Sequence, residues 1–184
     1  MLELYLIQHC APTLAGVKSA NLFTCPVQDA KMLQKMIDSH NQLLNPKGVH
    51  ITLLRVRKSA ALIYVYRPAK LAQELHRAET MHFLSRYGYG AAMDTESMLA
   101  HLTSRLQESE CFPHEIGVFL SYPLEDVVGF IENCGGNCKC SGCWKVYSDE
   151  AQAKRRFEQY KKCSLIYRKR FDEGYSLHRL TVAA

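Results

Sequence analysis

One stretch of the chain has the pattern of a β-hairpin: Val49-His-Ile-Thr-Leu-Leu-Arg-Val-Arg-Lys-Ser-Ala-Ala-Leu-Ile-Tyr-Val-Tyr66. Its two halves, Val49–Val56 and Ala60–Tyr66, are rich in β-branched and aromatic residues, which favour strands. The polar residues Arg57-Lys58-Ser59 separate the two halves and are few enough for a tight connection. We therefore predict a hairpin here.

Helical patterns lie on both sides of the hairpin. In each of them apolar residues recur three and four positions apart, which indicates one buried face. Several begin at a residue type that favours a helix N-terminus. The predicted helices cover Asp29–Leu44, Ala69–Ala78, a segment capped by Thr95 that buries Met98, Leu99, Leu102 and Leu106, a segment from Pro123 to about Asn133, and a long segment capped by Ser148 or Asp149 that runs to about Asp172.

Two further strands complete the prediction. Ile116–Leu120 is an apolar run that indicates a short buried strand, and Trp144–Tyr147 indicates another. The first 25 residues fit a strand or a short helix equally well, and residues 80–92 are ambiguous. The order of elements predicts an α+β (or α/β) fold, a single domain over residues 1–184 with a small mixed β-sheet flanked by helices and a long basic C-terminal helix.

Composition indicates a globular protein of the cytosol. The apolar share of 47% and the net charge of +5 are unremarkable for that class, and no segment approaches the roughly 20 apolar residues of a membrane span. The apolar N-terminus carries Glu3 where a signal peptide has positive residues. We therefore predict a cytoplasmic location without a membrane partner, where thiols stay reduced and Cys25, Cys111 and Cys163 are core or boundary residues.

Four of the eight cysteines lie within ten residues, in Cys134-Gly-Gly-Asn-Cys-Lys-Cys-Ser-Gly-Cys143. Only Cys140-Ser-Gly-Cys143 has the C-x2-C spacing of a zinc knuckle, and a second pair at a suitable distance is lacking. A site that combines this pair with a distant ligand is easier to build. The hypothesis is a metal or redox centre that holds zinc, iron or an iron–sulfur cluster. Its ligands are Cys138, Cys140 and Cys143, with Cys134 as a further candidate and His9 or Cys10 completing the site.

Two alternatives to a metal centre exist for this loop. A reversible thiol role is one, although a thioredoxin-like dithiol opens a helix and Cys143 precedes a strand instead. The other is that the cysteines are ordinary loop and core residues in a reducing compartment.

The segment Pro12-Thr-Leu-Ala-Gly-Val-Lys18 is a second candidate site. A turn of small residues could present backbone N–H groups, Thr13 and Lys18 to a phosphate or carboxylate. It lacks the spacing of a P-loop. The alternative interpretation is that Thr13 is a cap and that Lys18 is solvated. The hypothesis that follows is a small-molecule binder or an enzyme, with the reaction unknown.

The long C-terminal helix is a third candidate. Eight Lys and Arg residues lie between Asp149 and Gly174, against five acidic ones, and aromatic residues recur at helical spacing. Such a helix could bind nucleic acid, which we consider the weaker option, or an acidic redox protein. An ordinary amphipathic helix packed on a sheet has the same pattern.

Three motifs together resemble a family. They are HCAPTLAGVKSANLF over residues 9–23, EIGVFLSYPLEDVVGFIEN over 115–133, and CWKVYSDE over 143–150, running on to Tyr160-Lys-Lys-Cys163. The chain resembles small proteins of clostridia and related Firmicutes that are known as a domain of unknown function. This resemblance implies a bacterial cytosolic protein of one domain, and it implies no reaction. An association with iron-uptake or flavodoxin genes would favour the metal and redox hypotheses.

Overall fold

A computed structural model describes residues 2–108 and 112–184. Cys111, predicted to be a core or boundary thiol, lies outside the described residues. The helices are α1 (Leu2–Leu14), α2 (Ala30–Leu44), α3 (Pro68–Leu75), α4 (Ala78–Ser85), α5 (Thr95–Glu108), α6 (Ile116–Phe119), α7 (Leu124–Glu132), α8 (Glu150–Asp172) and α9 (Leu177–Leu180), with a 3₁₀ turn over Asn45–Lys47. The strands are β1 (Ala20–Pro26), β2 (His50–Arg57), β3 (Ala60–Tyr66), β4 (Cys140–Ser141) and β5 (Lys145–Val146).

The predicted hairpin forms the middle of the main sheet. The strand order is β1-β3-β2, and both neighbours pair with β3 in the antiparallel sense. The register pairs Ala20 and His50 with Tyr66 from opposite sides. Strands β4 and β5 form a separate antiparallel pair. The sheet predicted to be mixed is therefore antiparallel throughout the described residues, and the fold is α+β rather than α/β.

The central strand supports a hydrophobic core on each of its faces. Ala61, Ile63 and Val65 contact α1 and α2, whereas Tyr64 and Tyr66 contact the helices from α3 to α7. Successive side chains of a strand point to opposite faces, so a strand buried on both faces must be apolar at nearly every position. This explains the continuous apolar sequence of β3.

The structure confirms most of the predicted helices and changes some of the remaining assignments. The undecided N-terminal segment contains helix α1 and then strand β1. The predicted strand Ile116–Leu120 is wrong, because Ile116–Phe119 is one buried helical turn. A short run that is apolar at every position has no periodicity that distinguishes the two. The ambiguous region 80–92 contains the end of α4. The domain bounds 1–184 stay a prediction.

Arg67, directly after β3, connects four parts of the chain. It is 2% exposed, and its guanidinium donates hydrogen bonds to the carbonyl oxygens of Thr13 (2.7 Å), Leu14 (2.8 Å) and Val182 (2.7 Å). A longer bond of 3.4 Å reaches Lys47. The last carbonyl groups of a helix lack partners within that helix, and they favour a nearby cation. Burial lowers the pKa of Arg67.

We expect Arg67→Met to lower the free energy of unfolding by roughly 3–5 kcal/mol, because Thr13 O and Leu14 O each lose one of their donors, Val182 O loses its guanidinium donor, and the space of the buried side chain is refilled imperfectly. Urea denaturation measures this change. Arg57→Met is the control, since Arg57 is exposed at the end of β2 and its replacement should change stability by no more than about 0.5 kcal/mol. Equal losses in the two variants would contradict this role of Arg67.

Candidate functional site

The cysteine loop connects α7 to α8 and contains the small β4–β5 hairpin. Cys134 and Cys143 are exposed, Cys138 and Cys140 are half-buried, and none of the four forms a disulfide. Cys134 has a φ of +49°. Residues 2–108 and 112–184 contain no group of three or more His, Cys, Asp or Glu residues that could hold a metal ion. The metal-centre hypothesis therefore has no support in the described part of the chain.

The two distant ligands proposed for that centre point in different directions. His9 is exposed and stacks with Tyr5 and Phe23, with ring centroids 6.0 and 5.5 Å away. Cys10 is fully buried, and burial raises its pKa well above the ordinary value. The sequence neighbours thus do not form a cysteine–histidine pair. Cys25 and Cys163 are buried and half-buried, as predicted.

Asp126 holds the end of the cysteine loop against α7. It is 2% exposed and accepts four hydrogen bonds, from Trp144 Nε1 (2.7 Å), Tyr147 N (2.7 Å), Ser148 N (2.8 Å) and Ser148 Oγ (2.8 Å). Burial by itself raises the pKa of Asp126, but these hydrogen bonds outweigh it and the net pKa is lowered. Asp126, in the motif over 115–133, is therefore a structural anchor for the motif over 143–150.

Glycines permit the loop to approach the helices this closely. A Cβ atom on Gly129 would lie 2.6 Å from Tyr147 Cβ, and one on Gly142 would lie 2.4 Å from the ring of Phe157. Trp144 packs between the rings of Tyr122 and Phe157, at centroid distances of 5.1 and 4.5 Å. The loop is thus a packed element, with Cys143 at its surface.

The turn after α1 does not present its backbone to a ligand. The N–H of Gly16 donates to Thr13 O, and those of Val17 and Lys18 donate to Pro12 O. The Thr13 hydroxyl is buried and donates to Asn21 Oδ1 at 2.7 Å. These N–H groups and Thr13 are therefore occupied within the protein.

Lys18 is buried, so the interpretation that it is solvated is wrong. It is 5% exposed, and its Nζ lies 5.1 Å from the ring centroid of Tyr122 and 5.7 Å from that of Tyr160. No carboxylate lies within 4.0 Å of this ammonium among the described residues. Burial lowers its pKa to about 8, against the charges of Cys143, Cys10 and Glu74, which raise it.

Lys18, from the predicted anion site, thus lies beside the cysteine loop. Tyr122 connects them, because its ring faces Lys18 and its hydroxyl donates to Cys143 O at 3.2 Å. Burial raises the pKa of Cys143, and the charge of Lys18 opposes this effect. Burial likewise raises the pKa of Tyr122 to about 12.

Tyr122 also lines a polar cleft of about 250 Å³. Two of its side-chain oxygens, Glu74 Oε2 and Ser121 Oγ, are buried without a hydrogen-bond partner in the described structure. Ser121 has a φ of +60°, which is strained for a residue other than glycine. The other Glu74 oxygen accepts from Ser19 Oγ at 2.7 Å. The residues around the cleft include Arg77, Glu79, Thr80, Tyr122, Glu125, Gln152 and Arg156.

Sequence reasoning missed Glu74, Ser121 and Arg156 as site residues. Ser121-Tyr-Pro lies inside the motif over 115–133, so the motif was a signal for this wall of the cleft. Glu74 and Arg156 sit on helices whose patterns are ordinary, and only the packing of α3 and α8 brings them to one place.

Tyr122 also lines a second cavity, of about 460 Å³. Apolar side chains of α6 and α7 line most of it, among them Ile116, Leu120 and Phe130, together with Trp144.

The basic helix α8 packs its aromatic face inward, as an amphipathic helix does. Phe157, Tyr160, Tyr167 and Phe171 contact the hydrophobic clusters. Of its basic residues, Lys154, Arg168 and Arg170 form ion pairs within the helix or its end. Leu165 and Ile166 are exposed on the same helix. Binding of nucleic acid or an acidic protein stays a prediction.

Comparison with known proteins places the chain in a family. The model of a family described as a protein of unknown function (DUF3793) matches residues 6–181. No curated protein and no solved structure shows significant similarity to the chain. Within the described residues, no helix is both long and apolar enough to cross a membrane.

We expect Asp126→Ala to lower the free energy of unfolding by roughly 2–4 kcal/mol, because buried donors of the loop lose their acceptor. Trp144 is the only tryptophan, so its fluorescence reports the loop directly, and its emission should shift to the red in this variant. Glu125→Ala, at an exposed neighbouring position, is the control and should change neither property. An unshifted Asp126→Ala spectrum would argue against the anchor.

We expect Lys18→Met to raise the free energy of unfolding at pH 7 by roughly 2–3 kcal/mol, the cost of burying the ammonium. The pKa of Lys18 falls from 10.5 to about 8 on folding, so the unfolded chain holds more protons between these values. The wild type should therefore gain stability as the pH rises from about 8 to 10.5, and the variant should lack this gain. Urea titrations across this range measure it, with Lys35→Met as the control, because Lys35 is exposed on α2.

Proposed function

The chain belongs to DUF3793, a family of proteins of unknown function, and we propose that it binds a small anionic metabolite in the polar cleft beside Lys18. The observation that carries this proposal is the buried Lys18 ammonium without a carboxylate partner, next to a cleft with unpartnered buried oxygens. Buried polar groups normally have partners, and exceptions occur at sites that bind ligands.

The cations around the cleft favour an anion. Arg77 and Arg156 line it, Lys18 lies behind Tyr122, and none of the three takes part in an ion pair among the described residues. A guanidinium can bind a carboxylate or phosphate through two parallel hydrogen bonds. Three glutamates also line the cleft. Glu79 and Glu125 are exposed, as Arg77 is, so water screens their charges, and the half-buried Glu74 faces a hydrogen-bond donor of the ligand rather than its anionic group, which binds at Arg156.

The unpartnered oxygens and the volume restrict the ligand further. Ionised Glu74 Oε2 can only accept a hydrogen bond, whereas Ser121 Oγ can donate or accept. The ligand therefore carries at least one donor in addition to its anionic group. Pockets for drug-sized ligands have volumes of about 300–1,000 Å³. A cleft of about 250 Å³ accordingly suits a metabolite of a few heavy atoms.

This proposal retains Lys18 from the predicted anion site and replaces Thr13 and the turn backbone with residues of α3, α8 and the segment at Ser121. The metal, redox and interaction hypotheses stay predictions, since no contact among the described residues favours them over the cleft.

The test measures thermal unfolding of the protein with pyruvate, lactate and inorganic phosphate as probes. At about 100 times its Kd, a ligand stabilises the folded state by about 2.7 kcal/mol. For a chain of this size, that stabilisation raises the Tm by roughly 5–10 °C. We expect at least one probe to have this effect and Arg156→Gln to abolish most of it.

Arg155→Gln is the matched control, because Arg155 is the exposed neighbour of Arg156 on α8 and does not line the cleft. It should respond to the probe as the wild type does. A response to none of the three probes, or an equal response in Arg156→Gln and the wild type, would overturn the proposal.

A further inference from the structure

We propose that Lys18 forms a covalent imine with the carbonyl carbon of a small oxo acid bound in the cleft. This inference rests on the proposed function, and it adds the substrate class and the reacting atom. The residues that carry it are Lys18, Glu74, Tyr122 and Arg156.

The surroundings of Lys18 fit an amine nucleophile better than a structural cation. A structural lysine usually keeps its ammonium in water or pairs it with a carboxylate, although an aromatic ring can also hold it by a cation–π contact. Lys18 is 5% exposed, and its Nζ faces two tyrosine rings. A pKa of about 8 leaves about a tenth of the side chain as free amine at pH 7, whereas an ordinary lysine has well under a hundredth. Only the free amine attacks a carbonyl carbon.

The barrier between Lys18 and the cleft is a side chain rather than backbone. Tyr122 lines the cleft and also faces the ammonium. Its hydroxyl has one long hydrogen bond, to Cys143 O at 3.2 Å, and its ring stacks on Trp144 at a centroid distance of 5.1 Å, so a turn of the ring breaks both contacts. Tyr122 also lines the larger cavity, which provides space into which its ring can turn. Rotation of this ring opens the path from the cleft to Nζ.

Glu74 is placed to serve the proton transfers of imine formation. Its Oε2 is buried and unpartnered at the cleft, and its charge acts on Lys18. Glu74 lies more than 4.0 Å from the ammonium, so the first proton passes from Lys18 to Glu74 through a bridging water molecule. The amine lone pair then attacks the carbonyl carbon to form a C–N bond. The oxygen takes up a proton from nitrogen and becomes a carbinolamine hydroxyl. Glu74 returns its proton to this hydroxyl, which leaves as water as the C=N bond forms.

The arginines explain why the carbonyl compound is an acid. Arg156 and Arg77 lie on the wall of the cleft and bind the carboxylate, which orients the carbonyl group toward Tyr122 and Lys18. A 2-oxo acid has its carbonyl group directly beside the carboxylate, and its size suits the cleft.

The experiment is reductive trapping. The protein is incubated with pyruvate and sodium cyanoborohydride, which reduces an imine to a stable secondary amine, and the modified peptide is identified by mass spectrometry. We expect modification at Lys18 to exceed that at exposed Lys70 by at least about tenfold, in line with its tenfold or greater excess of free amine. Lactate has a hydroxyl group in place of the carbonyl and should leave no adduct.

Two variants separate chemistry from folding. Lys18→Met is expected to be more stable than the wild type, so its loss of the adduct cannot reflect unfolding. Glu74→Gln keeps a side-chain oxygen for the Ser19 hydroxyl and should slow trapping at Lys18 without changing that at Lys70. Trapping that is equal at Lys18 and Lys70, or absent from Lys18, overturns the imine. If pyruvate or lactate still raises the Tm in a manner that depends on Arg156, the proposed binding function stands and only the covalent step fails.

Discussion

The fold depends on a buried guanidinium that binds carbonyl groups instead of a carboxylate. Arg67 joins the end of α1, the turn at Lys47 and the C-terminal segment at the end of the central strand. Its backbone N–H also bonds to Ser19 O. Because these bonds hold both sides of the turn between α1 and β1, Lys18 is directed into the protein. A cation that would ordinarily extend into water is thereby buried at the cost of a lowered pKa.

A second polar anchor acts from the other side of the site. Asp126 accepts hydrogen bonds from Trp144 and from the residues that follow it, so the cysteine loop packs against α7 and Tyr122. The two anchors differ in energetic character from Lys18. Arg67 and Asp126 have hydrogen-bond partners for their buried charges and stabilise the fold. Glu74 Oε2 and Ser121 Oγ have no such partner, and the Lys18 ammonium has two tyrosine rings beside it but no carboxylate within 4.0 Å among the described residues. Polar groups without partners are costly, and their grouping beside one cleft is the physical basis for a binding site.

Prediction from sequence succeeded where a local pattern was strong. The hairpin and α2, α5, α7 and α8 followed from periodicity, and Asp149 caps α8 as expected. The predicted cap of α5 is wrong, because Asp94 rather than Thr95 accepts the hydrogen bond from Ser97 N. Prediction failed at Ile116–Phe119, because every position there is apolar and the sequence shows neither helical nor strand periodicity. It also left β1 unassigned, because this edge strand mixes polar and apolar residues and its pairing with β3 is a long-range property.

For the candidate site, the sequence alone determined the ingredients: a dense cysteine loop, a lysine after a small-residue turn, and the motif that contains Ser121. It could not determine their arrangement. Cys10 and Cys143 are far apart in sequence, yet both act on Lys18, while His9, adjacent to Cys10, faces outward. Only the tertiary structure decided this arrangement, because burial and proximity depend on how α1, α3, α7 and α8 pack around the sheet. The pKa and the reactivity of a residue follow from that packing rather than from its neighbours along the chain.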